Sequence, residues 1–203
     1  MKTAKPTPAA LGFRVKSGWA MAVLLAGPVD LPTLLRCERA LLSDPNVPAT
    51  KQPYHVALEL SGAEGKAEVR KLVKLVSAAA KRSIKELLKQ ASNVGYEVQG
   101  AAMVVGSLVD PTSLHNEHIR AHGLEGQLFR SVLEDAFQAH GLSCAVFLEK
   151  EAYARAAEHL RMTEAVTRRT IAQLGESHEG SWRAEEKMAA LAAWVALTTH
   201  YRL

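Results

Sequence analysis

The chain has 203 residues, 48% of them hydrophobic and 23% charged, with a formal net charge of +4. That length supplies an ordinary hydrophobic core, and the balance is far from the polar, highly charged composition of chains that stay disordered. The longest apolar runs, at residues 20–26 and 188–197, fall well short of the roughly 20 residues a helix needs to cross a bilayer, which argues against a transmembrane span.

Two cysteines, Cys37 and Cys144, stand far apart without the second pair that a disulfide framework or cysteine metal site requires. They read as buried, reduced thiols. Residues 1–10 hold two lysines and two prolines but no continuous apolar stretch, so they read as a short disordered arm and not a signal peptide. The expected location is the cytoplasm, and residues 11–203 are expected to form a single domain.

Residues 12–26 read as two strands about a Lys16-Ser17-Gly18 turn, ended by the Gly27-Pro28 breaker. A third strand, or a short helix after Pro32, is expected over 34–43, followed by a proline-spaced loop over 44–53. Residues 54–60 read as one more strand. The Ser61-Gly62-Ala63-Glu64-Gly65 stretch then precedes a long helical pattern to about Ala91, whose Val69, Leu72, Val73, Val76, Ala80, Ile84 and Leu87 recur at three and four residues.

An apolar run over 98–105, bounded by Gly95 and Gly106, suits a strand buried on both faces. After the Asp110-Pro111 loop a helix is expected from about Asn116 to His140, with Gly141 as its stop. A strand over 142–148 and a helix over 153–160 follow. Thr163 caps a further helix that ends at Gly175, and a last helix is expected over 183–200. Strands first, then alternating helices and strands, predict an α/β fold with part of the sheet parallel.

This order resembles the ribonuclease H-like superfamily, and within it the RuvC-type Holliday-junction resolvases, over roughly residues 12–197. Four stretches carry the resemblance: Gly12-Phe13-Arg14 before a turn and Gly18-Trp19; residues 126–147; the Thr163-Glu164 helix with Val166 and Ile171; and the alanine- and leucine-rich helix from Glu186 to Ala193. The resemblance implies a three-layer fold, a mixed sheet of about five strands with helices on both faces. It also implies two divalent cations, Mg or Mn, held by carboxylates on the first strand, the fourth strand and the final helix.

The acids depart from that pattern. Arg14 stands at the expected first-strand aspartate, followed by Val15 and Lys16. The fourth strand ends Val104-Val105-Gly106-Ser107, with Asp110 the first acid beyond it. On the final helix Glu186 remains, with Glu185 beside it, but the second acidic position holds Ala189. A lone carboxylate does not hold two hard cations, so the expected role is a non-catalytic domain, without cofactor, that binds nucleic acid or a protein partner.

Arg14 and Lys16 at the vacated site, with Lys66, Arg70, Lys74, Lys81, Lys85 and Lys89 along one side of the long helix, offer phosphate contacts. The plainer alternatives are a solvated face flanked by Glu64, Glu68 and Glu86, and an Arg14–Glu186 salt bridge filling the old site. A rival reading is a divalent-metal-dependent phosphodiesterase with a rearranged site built from Glu185, Glu186 and His118, His122 and Glu125.

His115, His118, His122 and Glu125 recur at three and four residues and so project from one side of a helix start, a donor set that suits Zn or a related transition metal. They lack the His-Glu-x-x-His order of zinc proteases, and histidines at a polar helix start also serve as plain capping or solvent-facing groups. A purely structural subunit is the third reading, and the apolar Leu191, Trp194, Val195 and Leu197 could bury a homodimer interface. No P-loop, dinucleotide-binding glycine fingerprint or Gly-x-Ser-x-Gly elbow occurs.

Overall fold

Alternation along the first strand divides the interior in two. In the computed structural model, which describes residues 5–60 and 62–198, β1 (Thr7–Lys16) sends Ala9, Leu11, Phe13 and Val15 into one core and Ala10 into another. Gly18, at φ 80°, turns the chain into β2 (Trp19–Ala26), and β3 (Thr33–Leu41) follows. Next come α1 (Pro53–Leu58), α2 (Gly62–Asn93), β4 (Tyr96–Val105), α3 (Glu117–Gln138), β5 (Cys144–Leu148), α4 (Ala152–Leu160), α5 (Glu164–Leu174) and α6 (Ala184–Leu197).

The sheet runs β3-β2-β1-β4-β5. β1–β2 and β2–β3 are antiparallel, while β1–β4 and β4–β5 are parallel. One face carries α2 and α3, whose Val76, Ile84, Phe129 and Phe137 pack on Leu11, Phe13 and Met103. The other carries α4, α5 and α6, over Val23, Leu25 and Val104. This is the three-layer α/β architecture that the resemblance implies.

Contact between α6 and the sheet is unusually close. A Cβ on Gly12 would lie 2.0 Å from the Ala189 carbonyl oxygen and 2.1 Å from the Ala193 nitrogen. Ala189, Ala190, Ala192, Ala193 and Ala196 are all buried, so the helix lies on the strand through backbone and methyl groups. Trp194 is fully buried as well and donates its Nε1–H to the Val29 carbonyl at 2.6 Å.

Several expectations change. Residues 54–60 are not a strand: Pro53 sits in the first turn of α1, where its missing N–H costs nothing, and the helix packs on α2 and α3. A short apolar run does not distinguish strand from helix by itself. The supposed arm over residues 1–10 gives way to strand from Thr7, whose N–H donates to the Gly95 carbonyl at 2.9 Å. Ala9 and Ala10 are buried because β4 pairs beside them; residues 1–4 lie outside the described residues.

The last helix closes at Leu197, and the expected end at His200 also lies outside the described residues. Leu191, Trp194, Val195 and Leu197 are buried within the chain itself, so they form core and not a dimer face. Cys37 and Cys144 are half-buried free thiols, and burial pushes them up to about 11 and about 12 respectively, which keeps both protonated at neutral pH. No described helix is long and apolar enough to cross a membrane.

Two glycines give opposite predictions. Gly12→Ala drives a methyl into the α6 backbone and should cost about 3 kcal/mol of unfolding free energy. Gly126→Ala, inside α3 with open space around its would-be Cβ, should stabilise by up to about 1 kcal/mol. Urea denaturation midpoints of the two variants against the parent check both.

Candidate functional site

β1 and β4 run parallel with Arg14 level with Val104, so both strands deliver their following residues to the same edge of the sheet. Lys16 and Ser17 arrive from β1, and Gly106 and Ser107 from β4. α3 crosses this edge and presents His122, Gly126 and Arg130, each one turn apart, together with Gln127. These residues enclose a cavity of about 270 Å³ in which Arg14, Lys16, Arg130 and His122 supply the ionisable groups and, among the described residues, no carboxylate forms part of the wall.

Each cation is paired with an acid that lies outside the cavity lining. Arg14, only 5% exposed, donates through Nη1 to the Val15 carbonyl at 2.8 Å and through Nη2 to Glu149 Oε2 at 2.5 Å. Lys16 Nζ lies 3.2 Å from Glu185 Oε1, and Arg130 Nε lies 4.0 Å from Glu134 Oε2. Glu185 is held below the usual carboxylate range by the hydrogen bond from Lys16, by a backbone hydrogen bond, and by the charges of Lys16 and Arg14.

The expected Arg14–Glu186 pair does not form. Glu186 accepts the Arg183 backbone N–H at 2.8 Å, because that amide is one of the free donors at the start of its own helix. Arg14 finds Glu149 instead, the residue immediately after β5, at the same carboxyl edge.

The residues do not fit the pair of divalent cations that the resemblance implies. A buried guanidinium occupies the first-strand position, Glu186 caps a helix, and Asp110 is exposed in a 3₁₀ turn where its side chain accepts from the Thr112 N–H at 2.9 Å. Val104, Val105 and Gly106 bring no side-chain oxygen. Nor does the rearranged phosphodiesterase site assemble, since Glu185 and Glu186 are tied to Lys16 and Arg183 and do not join His118, His122 and Glu125 in one cluster.

Of the expected phosphate contacts, the structure brings Arg14 and Lys16 together. Lys66, Arg70, Lys74, Lys81, Lys85 and Lys89 are all exposed on α2, and none lines the cavity. Lys66 and Arg70 border a separate depression beside Tyr54.

At the start of α3 the Asn116 side chain accepts the Ile119 N–H at 3.0 Å, which leaves His115 in the preceding loop and outside the histidine group. His118 and His122 do come together, and α1 adds His55. The ring centroids are 4.7 Å apart for His55–His118, 4.2 Å for His55–His122 and 4.8 Å for His118–His122. Glu125, with no exposure, stands behind them: its Oε1 accepts from the His55 backbone N–H at 3.3 Å and lies 2.8 Å from His55 Nδ1.

His55, Glu149 and Arg130 were not among the expected site residues. Reading residues 54–60 as a strand removed His55 from consideration. Glu149 carried a usable signal, an acid directly after a strand, and Arg130 continued the four-residue spacing of His122 and Gly126.

No protein-family model matches the chain, and no curated protein does. Among solved structures the chain is similar to Thermus thermophilus RuvC, with 12% identity over 92% of this chain and 92% of that one and a TM-score of 0.51. It is likewise similar to T. thermophilus RuvC in complex with Holliday junction substrate, with 11% identity over 92% of this chain and 90% of that one and a TM-score of 0.53. At these identities the likeness concerns the fold: the chain has the mixed five-stranded, ribonuclease H-like architecture of the RuvC resolvases.

Proposed function

We propose that this chain is a non-catalytic ribonuclease H-like domain that binds nucleic acid through its phosphates at the carboxyl edge of β1 and β4. The observation that carries this reading is a cavity whose ionisable wall is cationic or imidazole, with Arg14 at the first-strand position where the resemblance implies a metal-binding carboxylate. Ligands of open α/β sheets gather at this edge. The RuvC neighbour solved with a Holliday junction substrate supports nucleic acid as the partner class, and the charges support phosphate as the group contacted.

The anchoring acids do not oppose this. Lys16 and Glu185 are about one-third exposed, and Arg130 meets Glu134 only at the limit of an ion pair. Such pairs are worth about 1 kcal/mol or less, so a phosphate oxygen displaces the acid at little cost. Arg14 is different: held by Val15 and Glu149, its guanidinium is fixed in place at the cavity wall. The exposed Arg70, Lys74, Lys81 and Lys85 on α2 add longer-range attraction that salt screens.

Titration of branched DNA, linear DNA and RNA across a salt series tests the reading. Log affinity should fall linearly with log salt, and Lys16→Glu and Arg130→Glu should each weaken binding about tenfold or more and flatten the slope by about one. Equal binding by the Lys16→Glu/Arg130→Glu double variant would sink it. Lys81→Glu/Lys85→Glu should weaken binding at low salt and match the parent at high salt.

Glu186→Ala separates binding from catalysis. Loss of its helix-capping bond should cost about 1 kcal/mol of stability and leave nucleic-acid affinity unchanged, with no strand cleavage by parent or variant in magnesium or manganese. Cleavage by the parent that disappears in the variant would establish the metal-dependent nuclease instead.

A further inference from the structure

We infer that His55, His118 and His122 form a transition-metal site of the zinc class, with Glu125 as the carboxylate that orients His55. This does not depend on the nucleic-acid reading. It rests on an arrangement that joins residues 70 positions apart in sequence, from α1 and α3.

Three imidazole rings lie in mutual contact, and one ring nitrogen of each falls within 4.8 Å of the other two. Tetrahedral zinc at 2.0–2.1 Å from each nitrogen requires separations of about 3.3 Å, so rotation of the two exposed rings closes the set. His118 and His122 are one helical turn apart, the spacing at which two imidazoles on one helix reach a common ion.

His55 is the anchor. Its Nδ1 faces Glu125 Oε1 at 2.8 Å, which leaves Nε2 as its free ligand atom. That Nε2 is shut off from solvent and has no hydrogen-bond partner among the described residues. A buried polar nitrogen without a partner is costly, and a metal ion satisfies it. Glu125 repeats the argument: the carboxylate is wholly buried, its Oε2 is also without a hydrogen bond, and the nearest groups to offset a negative charge are the imidazoles of His55 and, at 3.8 Å, His122. A divalent cation bound through those rings supplies the missing positive charge.

Carboxylate, histidine and metal in that order is the usual outer-shell arrangement of a zinc site. Nitrogen donors without thiolate or additional ligating carboxylate favour Zn²⁺ over Mg²⁺ or Ca²⁺, which take oxygen ligands. Three protein ligands would leave a fourth coordination position for solvent, and His122 also lines the cationic cavity.

The test uses the full chain, freed of metal by chelation. Zinc titration by calorimetry should show one equivalent bound, and cobalt(II) should give the visible absorption bands of a tetrahedral nitrogen site. His118→Ala/His122→Ala should weaken zinc binding at least 100-fold, while His115→Ala, next to the cluster but outside it, binds as the parent does. Zinc should raise the melting temperature of the parent, by linking α1 to α3, and not that of the double variant.

Glu125→Gln, as a positioning change, should weaken binding 10- to 100-fold while one equivalent still binds. Should that variant fail to fold, the two exposed histidines, whose removal leaves the core untouched, still decide the matter. Absence of stoichiometric binding at micromolar zinc, or parent-like binding by His118→Ala/His122→Ala, overturns the site.

Discussion

The contact on which the molecule depends is the seating of α6 directly on Gly12. With no Cβ on the strand and alanines at 189 and 193 on the helix, backbone meets backbone, and the helix axis is fixed against β1 with almost no intervening side chain. This closeness brings the first turn of α6 alongside the end of β1, so that Glu185 reaches Lys16. It also buries Trp194 deeply enough for its indole N–H to meet the Val29 carbonyl, tying the loop after β2 to the same helix. A larger residue at position 12 would lift the helix, and the charged edge and the β2 loop would both lose their reference point.

From that frame the character of the edge follows by charge alone. This chain places a guanidinium near the end of β1 and sets the acids to the outside, as counter-ions to Arg14 and Lys16. Sign matters more than shape in such a place. The ionisable groups of the cavity wall are Arg14, Lys16, Arg130 and His122, and the acids paired with the three cations lie outside it. The buried guanidinium of Arg14 is hydrogen-bonded at both ends, to a carbonyl and to a carboxylate, so its desolvated donors are satisfied.

The histidine group obeys a different constraint. Glu125 belongs to the buried side of α3, among Ala121, Leu128 and Phe129. A carboxylate there needs compensation, and α1 provides it by laying both the backbone N–H and the ring of His55 against it. This explains why so short a helix holds a fixed position: it is held by hydrophobic packing against α2 and by a polar contact that α3 makes from within. The cationic cavity and the histidine group meet at His122, so α3 is the element that serves both.

The sequence by itself determined the larger elements. Periodicity in α2, the apolar run of β4, the Thr163 cap of α5 and the left-handed Gly141 after α3 all follow from local chemistry that acts within one or two turns of the chain. It also placed Arg14 on the first strand, since the strand pattern is local. What it left open was partnership. Residues 54–60 carry an apolar pattern too short to choose between strand and helix, and only packing against α2 and α3 made them α1 and brought His55 to Glu125. Glu186 was the only mate for Arg14 that the sequence suggested; the unsatisfied amides of α6 claimed it, and the end of β5 delivered Glu149 instead. Local rules act along the chain, whereas ion pairs, buried carboxylates and imidazole clusters are settled by which distant segments the fold brings within about 3 Å.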